Sequence, residues 1–164
     1  MFIDDKGSKM TPFEEALLAH YDGKIALALV NEDRNGHCNL TEAFICKLFE
    51  QVWNTPDGCA VVTRIVSCND FLTPKMIDTI FATKNAEQIE QYLHLSRGYG
   101  MESRHVIELL ELGSEDLVNF YFKRYATFVF TDEWYRPVVE YLRKKGIYNA
   151  YRAKFMPERK FGKD

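Results

Sequence analysis

The chain has 164 residues, 46% hydrophobic and 27% charged, with only nine Gly and five Pro, a balance that excludes collagenous, low-complexity and globally disordered classes. A chain of this length buries roughly two thirds of its unfolded-state surface as a single domain, so neither metal nor disulfide is needed to hold it. The formal charge of -3 conceals a division, because residues 143–164 hold eight Lys or Arg against Glu158 and Asp164 while the rest is acidic, an asymmetry of the kind found at nucleic-acid or acidic-partner contacts.

Residues 1–10 read as an N-terminal arm. Asp4 and Asp5 precede the first basic residue and no long apolar run follows, which argues against a signal or transit peptide. No stretch approaches 18 consecutive apolar residues, as a spanning helix requires. Cys38, Cys46, Cys59 and Cys68 are too few for a disulfide framework. A cytoplasmic home is expected.

From residue 11 onward, helix start signals recur about every thirty residues. Thr11-Pro12-Phe13-Glu14 combines an N-cap Thr, Pro at the first helical position and Glu at the third to close a capping box. Thr41-Glu42, Thr73-Pro74, Ser103 and Thr131-Asp132-Glu133 supply further starts, the last compromised by Pro137, which would kink that helix or delay it. A second set follows each first one: Asp22-Gly23, Thr55-Pro56-Asp57, Asn85 to Gln88, Ser114-Glu115-Asp116 and Gly146. Apolar residues between these signals fall at spacings of three and four. Residues 80–93 overlie 109–122 at a constant offset of 29, with Ile89 meeting Val118 and Tyr92 meeting Tyr121, although Gln88 meets Leu117 and Gln91 meets Phe120.

The pattern predicts an all-α chain, an array of about five helix-turn-helix units stacked as a short α-solenoid over 11–151, followed by a basic and aromatic tail, 152–164. Such hairpins gain a core only by stacking on neighbours. The array resembles the α-solenoid class, ankyrin-like or HEAT-like. Thr11-Pro12-Phe13 is similar to the ankyrin opening T-P-L, and Val106 to Gly113 and Val138 to Gly146 resemble its apolar second helix ending in Gly. Glu14 stands where the ankyrin His would be, and the ankyrin phase makes Val106 to Gly113 a second helix where the start signals make it a first. An irregular all-α bundle is the alternative.

No phosphate-cradling loop, nucleophile elbow, paired-His zinc helix or calcium loop is present, and a non-enzymatic chain without cofactor or metal is expected. Gly98-Tyr99-Gly100 reads as an inter-unit loop. The cysteine spacings do not match a zinc site, and Cys46, Cys59 and Cys68 are expected in buried packing, with Cys59, near a helix start, as the sole candidate for an activated thiol. Carboxylate pairs such as Glu14 with Glu15 are expected on solvated helix faces.

The aromatics are 12 Phe, 9 Tyr and 2 Trp, and residues 120–136 hold more rings than one short hairpin covers. A protein-binding surface is therefore expected at Lys123, Arg124, Tyr125, Phe128, Trp134, Tyr135 and Arg136, since aromatics with Arg are enriched at interfaces. The tail or a second copy of the chain are the other covers for a terminal unit. The alternative function is nucleic-acid binding through Arg143, Lys144, Lys145, Arg152, Lys154, Arg159 and Lys160, with aromatic rings stacking on bases.

Overall fold

The computed structural model describes residues 9–67, 72–98 and 100–157. Among them the protein is all-helical, with ten α-helices, one 3-10 turn and no strand. Cys68, Tyr99, Arg159 and Lys160 lie outside the described residues. Contacts divide the chain into two units, Met1–Gly100 and Met101–Asp164.

The first unit contains α1 (Pro12–Ala19), α2 (Gly23–Arg34), α3 (Glu42–Gln51), α4 (Gly58–Val66), α5 (Pro74–Ala82) and α6 (Ala86–Ser96). Each begins where a local signal stands. The side chains of Thr11, Asp22, Thr41, Thr73 and Asn85 all accept hydrogen bonds from first-turn amides, satisfying donors that a helix leaves orphaned. Asp57 precedes α4 in the left-handed region, φ 64°, without a side-chain cap. Packing alternates: α2 lies on α4, α4 on α6, and α3 on α5. The interior is built from Phe44, Ile45, Leu48, Phe49, Val61, Val62, Ile65, Ile80, Ile89 and Leu93, all nearly inaccessible.

Glu14 is a correction to the solvated-face expectation. It is only 2% exposed. Its carboxylate accepts from Thr11 N at 3.0 Å, Thr41 N at 2.9 Å and Thr41 Oγ1 at 2.7 Å. Thr41 Oγ1 in turn accepts from Phe44 N at 3.1 Å, so one carboxylate completes the cap of α1 and holds the cap of α3. The next hairpin repeats the device in another register, with Thr73 Oγ1 donating to the Glu42 carboxylate while accepting from Met76 N at 3.2 Å. Gly23, at the first position of α2, is pressed on the Pro56 carbonyl so closely that a Cβ has no room.

The second unit contains α7 (Ser103–Leu112), α8 (Glu115–Thr131), the 3-10 turn Glu133–Tyr135, α9 (Arg136–Lys144) and α10 (Tyr148–Phe155). Two expected starts move. Glu102 rather than Ser103 is the N-cap of α7, its amide donating to His105 Nδ1 at 3.0 Å. Thr131 ends α8 instead of opening a helix; Asp132 caps the 3-10 turn and α9 starts at Arg136 with Pro137 at its second position, where no intrahelical donor is lost. Pro137 thus delays the helix rather than kinking it. Within this unit α7 packs on α9 and α8 on α10. α10 continues through residues 152–155.

Two substitutions test this arrangement by urea unfolding. Glu14→Ala leaves the Thr41 hydroxyl and amide without their acceptor, and a loss of about 2 kcal/mol or more is expected, against a few tenths for Glu15→Ala on the exposed side. Gly23→Ala is expected to cost about 1–3 kcal/mol through the clash with Pro56.

Candidate interaction surface

The long helix α8 divides its side chains sharply. Leu117, Val118, Tyr121, Phe122, Ala126, Val129 and Phe130 are buried, while Lys123, Arg124, Thr127 and Phe128 face solvent. Phe122 is the hub of the buried side. Its ring centroid lies 5.2 Å from Phe155, 5.4 Å from Tyr151, 5.8 Å from Tyr121 and 6.2 Å from Phe130. Tyr148 meets Phe130 edge-on at 5.6 Å. The surplus rings are therefore partly accounted for by α10, whose Tyr148, Tyr151 and Phe155 cover this end of the unit.

Exposed rings remain. Phe128 is 54% and Trp134 62% accessible. Arg124 sits one turn before Phe128 on the same helix face, its guanidinium 5.8 Å from the Phe120 ring. Trp134 is carried on the 3-10 turn, whose shape is fixed by Trp134 N donating to Asp132 Oδ1 at 2.9 Å and Ser103 Oγ donating to the Trp134 carbonyl at 2.8 Å. Arg136 is exposed and paired with Glu133. Of the residues expected at the surface, Lys123, Arg124, Phe128, Trp134 and Arg136 are exposed. Tyr125 and Tyr135 are half-buried, Tyr125 against Tyr121 at 4.9 Å and Tyr135 through a 3.4 Å contact with the Tyr121 hydroxyl.

The basic residues Arg143, Lys144, Lys145, Arg152 and Lys154 are all exposed on α9, its C-terminal turn and α10. Arg152 donates to the Tyr148 phenol oxygen at 3.0 Å, and the Arg143 guanidinium stands 4.4 Å from the centre of the same ring. Hydrogen bonds from Arg152 and then Arg143 draw the Tyr148 phenol below its ordinary range. Tyr148, Tyr151 and Phe155 are half-buried and pack on Phe122 and Phe130 of α8.

Two features had no sequence signal. Trp53, in the α3–α4 turn, donates its indole N–H to Glu87 at 3.2 Å, and both line a cleft with Glu90, Gln91 and His94. His105 is wholly buried. Cys46 is buried as expected but Cys59 is exposed, its sulfur 4.0 Å from Thr63 Oγ1, because the second position of α4 faces away from the core. Burial pushes the Cys46 thiol up, and the acids Asp33 and Glu32 reinforce burial in doing the same at half-buried Cys38. Among the described residues no group of three His, Cys, Asp or Glu gathers in metal-binding geometry, and no helix is long and apolar enough to cross a membrane.

No family model, curated protein or solved structure matches the chain. The ankyrin likeness accordingly rests on the residues that carry it.

Alkylation with mass mapping is expected to modify Cys59 at least about tenfold faster than Cys46, since reaction needs an accessible thiolate and burial disfavours that form. Phe122→Ala removes the ring on which four others pack and is expected to cost about 3–5 kcal/mol in urea unfolding.

Proposed function

We propose that the chain is a non-enzymatic array of helical hairpins, three in the first unit and two in the second, that binds a partner protein through the solvent face of α8 and the turn that follows it. The support for the array is the alternation of packing, first helix on first helix and second on second, together with the burial of both members of the matched pairs Ile89 and Val118, Tyr92 and Tyr121, Leu93 and Phe122. Gln88 and Leu117 are both buried too, so even the chemically mismatched pair occupies an equivalent place.

One observation carries the binding reading. Phe128 and Trp134 are large rings left in water beside Arg124 and Arg136, in a unit that has buried its neighbouring rings. Trp, Tyr and Arg dominate the energetics of protein interfaces. The indole is also presented by a hydrogen-bonded turn, which reduces the ordering that association must impose. Lys123 is exposed beside Arg124, and half-buried Tyr125 and Tyr135 both contact Tyr121.

The test compares partner retention and thermal stability in the same variants. Trp134→Ala and Phe128→Ala are expected to weaken retention of a protein captured by the wild-type chain about tenfold or more, while melting temperatures stay within about 2 °C. Tyr135→Ala is expected to lower both, because its ring is half-buried. Melting temperatures that fall for Trp134→Ala and Phe128→Ala with retention unchanged would assign these rings to the core and remove the surface.

A further inference from the structure

The cations of α9 and α10 are not used by the surface proposed above, and they form a surface of different chemistry. Arg143 and Arg152 are nine residues apart, yet both reach Tyr148. Two adjoining clefts open beside them, one of ≈ 310 Å³ lined by Arg143, Gly146, Tyr148 and Asn149, the other of ≈ 390 Å³ lined by Asn149, Arg152, Ala153 and Met156. Asn149 is common to both. Each cleft has its own guanidinium, and no carboxylate lines either among the described residues. Lys144, Lys145 and Lys154 are exposed on the same two helices and the turn between them.

The occupant follows from what this surface has and lacks. A guanidinium offers several donors in a rigid fork suited to phosphate oxygens, and contact with one phenol leaves most of them available. The phenol also holds the two guanidiniums in place before anything binds. Peptide partners are anchored by apolar or aromatic side chains seated in pockets, but the large rings of α10 are turned inward onto Phe122 and Phe130. A phosphodiester strand needs no such anchor, since cations alone neutralise successive phosphates and release their counterions. Two cation-bearing clefts side by side fit a ligand whose charges repeat along its length.

We propose that Arg143 and Arg152, held by Tyr148 on either side of Asn149, bind the sugar-phosphate backbone of a single-stranded nucleic acid without reading its bases. Lys144, Lys145 and Lys154 add diffuse attraction around the two fixed contacts. Base stacking, the other common source of single-strand affinity, is absent from the mechanism because the rings are committed to packing.

Fluorescence anisotropy with labelled oligo(dT) and oligo(dA) of about 16 nucleotides, at salt between about 50 and 200 mM, tests this on the full chain. The expected result is binding to both homopolymers with affinities within about threefold of each other, weakening steeply with salt. The Arg143→Gln, Arg152→Gln double variant is expected to lose about tenfold at low salt and to reduce the slope of log K against log salt by about 1 to 1.5, the value for two single-strand phosphates. Both sites are exposed, and an unchanged circular dichroism melt establishes that the variant is folded. Absence of oligonucleotide binding at low salt overturns the proposal, as does a double variant that binds as well as the wild type. Binding of polyglutamate in preference to either oligonucleotide also overturns it and assigns the surface to an acidic protein segment. Trp134→Ala is expected to bind oligonucleotide normally, which separates this surface from the protein-binding one.

Discussion

A buried carboxylate fixes how the starts of α1 and α3 meet. Placing Glu14 in the interior is costly unless its charge is met by donors, and it is met by two backbone amides and a hydroxyl drawn from the caps of α1 and α3. Apolar faces at a spacing of three or four pack in several registers with similar area buried, so hydrophobic contact alone does not choose one. A charge that must find three donors does. Thr41 ties the two starts together, since the oxygen that donates to Glu14 also accepts from Phe44 N.

The same logic recurs with different geometry. Glu14 is the third residue of α1 and reaches the N-cap Thr41 of α3, whereas Glu42 is the first residue of α3 and reaches the N-cap Thr73 of α5. The relation of carboxylate to a following N-cap thus occurs twice, with the acid at a different position each time. A second tie sets the spacing of the hairpin turns. Gly23 permits α2 to begin against the Pro56 carbonyl, a closeness that any side chain prevents, and Arg64 Nε donating to Asn31 Oδ1 at 2.7 Å joins α4 to α2.

Helix starts were legible because capping is local. A side-chain oxygen and an amide two or three residues away are enough, so Thr11, Asp22, Thr41, Thr73, Asn85 and Ser114 could be read singly. Where the cap is not a Ser, Thr, Asp or Asn oxygen the reading slipped, as at Glu102, whose amide is met by His105 instead. Thr131 misled for another reason: a capping signal is only a permission, and α8 had enough apolar contacts, ending in Val129 and Phe130, to run through it. The Glu14–Thr41 contact spans 27 residues and left no local trace, so a residue read as a solvated acid is almost wholly buried. Cys59 failed similarly, because composition suggested burial and its place on α4 decided otherwise.

The candidate surfaces show what sequence can and cannot separate. Rings and cations are interleaved from residue 120 to the C-terminus, and composition alone treats them as one mixed segment. Folding sorts them by periodicity. On α8 the helical turn places Phe122 and Phe130 inward while Phe128 and Arg124, four residues apart, share the outward face. On α10 the rings at 148, 151 and 155 fall on one side at spacings of three and four, and Arg152 and Lys154 are left on the others. The α8 face and its turn leave Phe128 and Trp134 exposed near Arg124 and Arg136, whereas on α9 and α10 the cations lie against half-buried rings, Arg143 on Tyr148 and Lys154 on Phe155. One stretch of similar composition is thus sorted by helical periodicity, with Phe122 packed against Tyr151 and Phe155 on the buried side of α8 while Phe128 stays exposed.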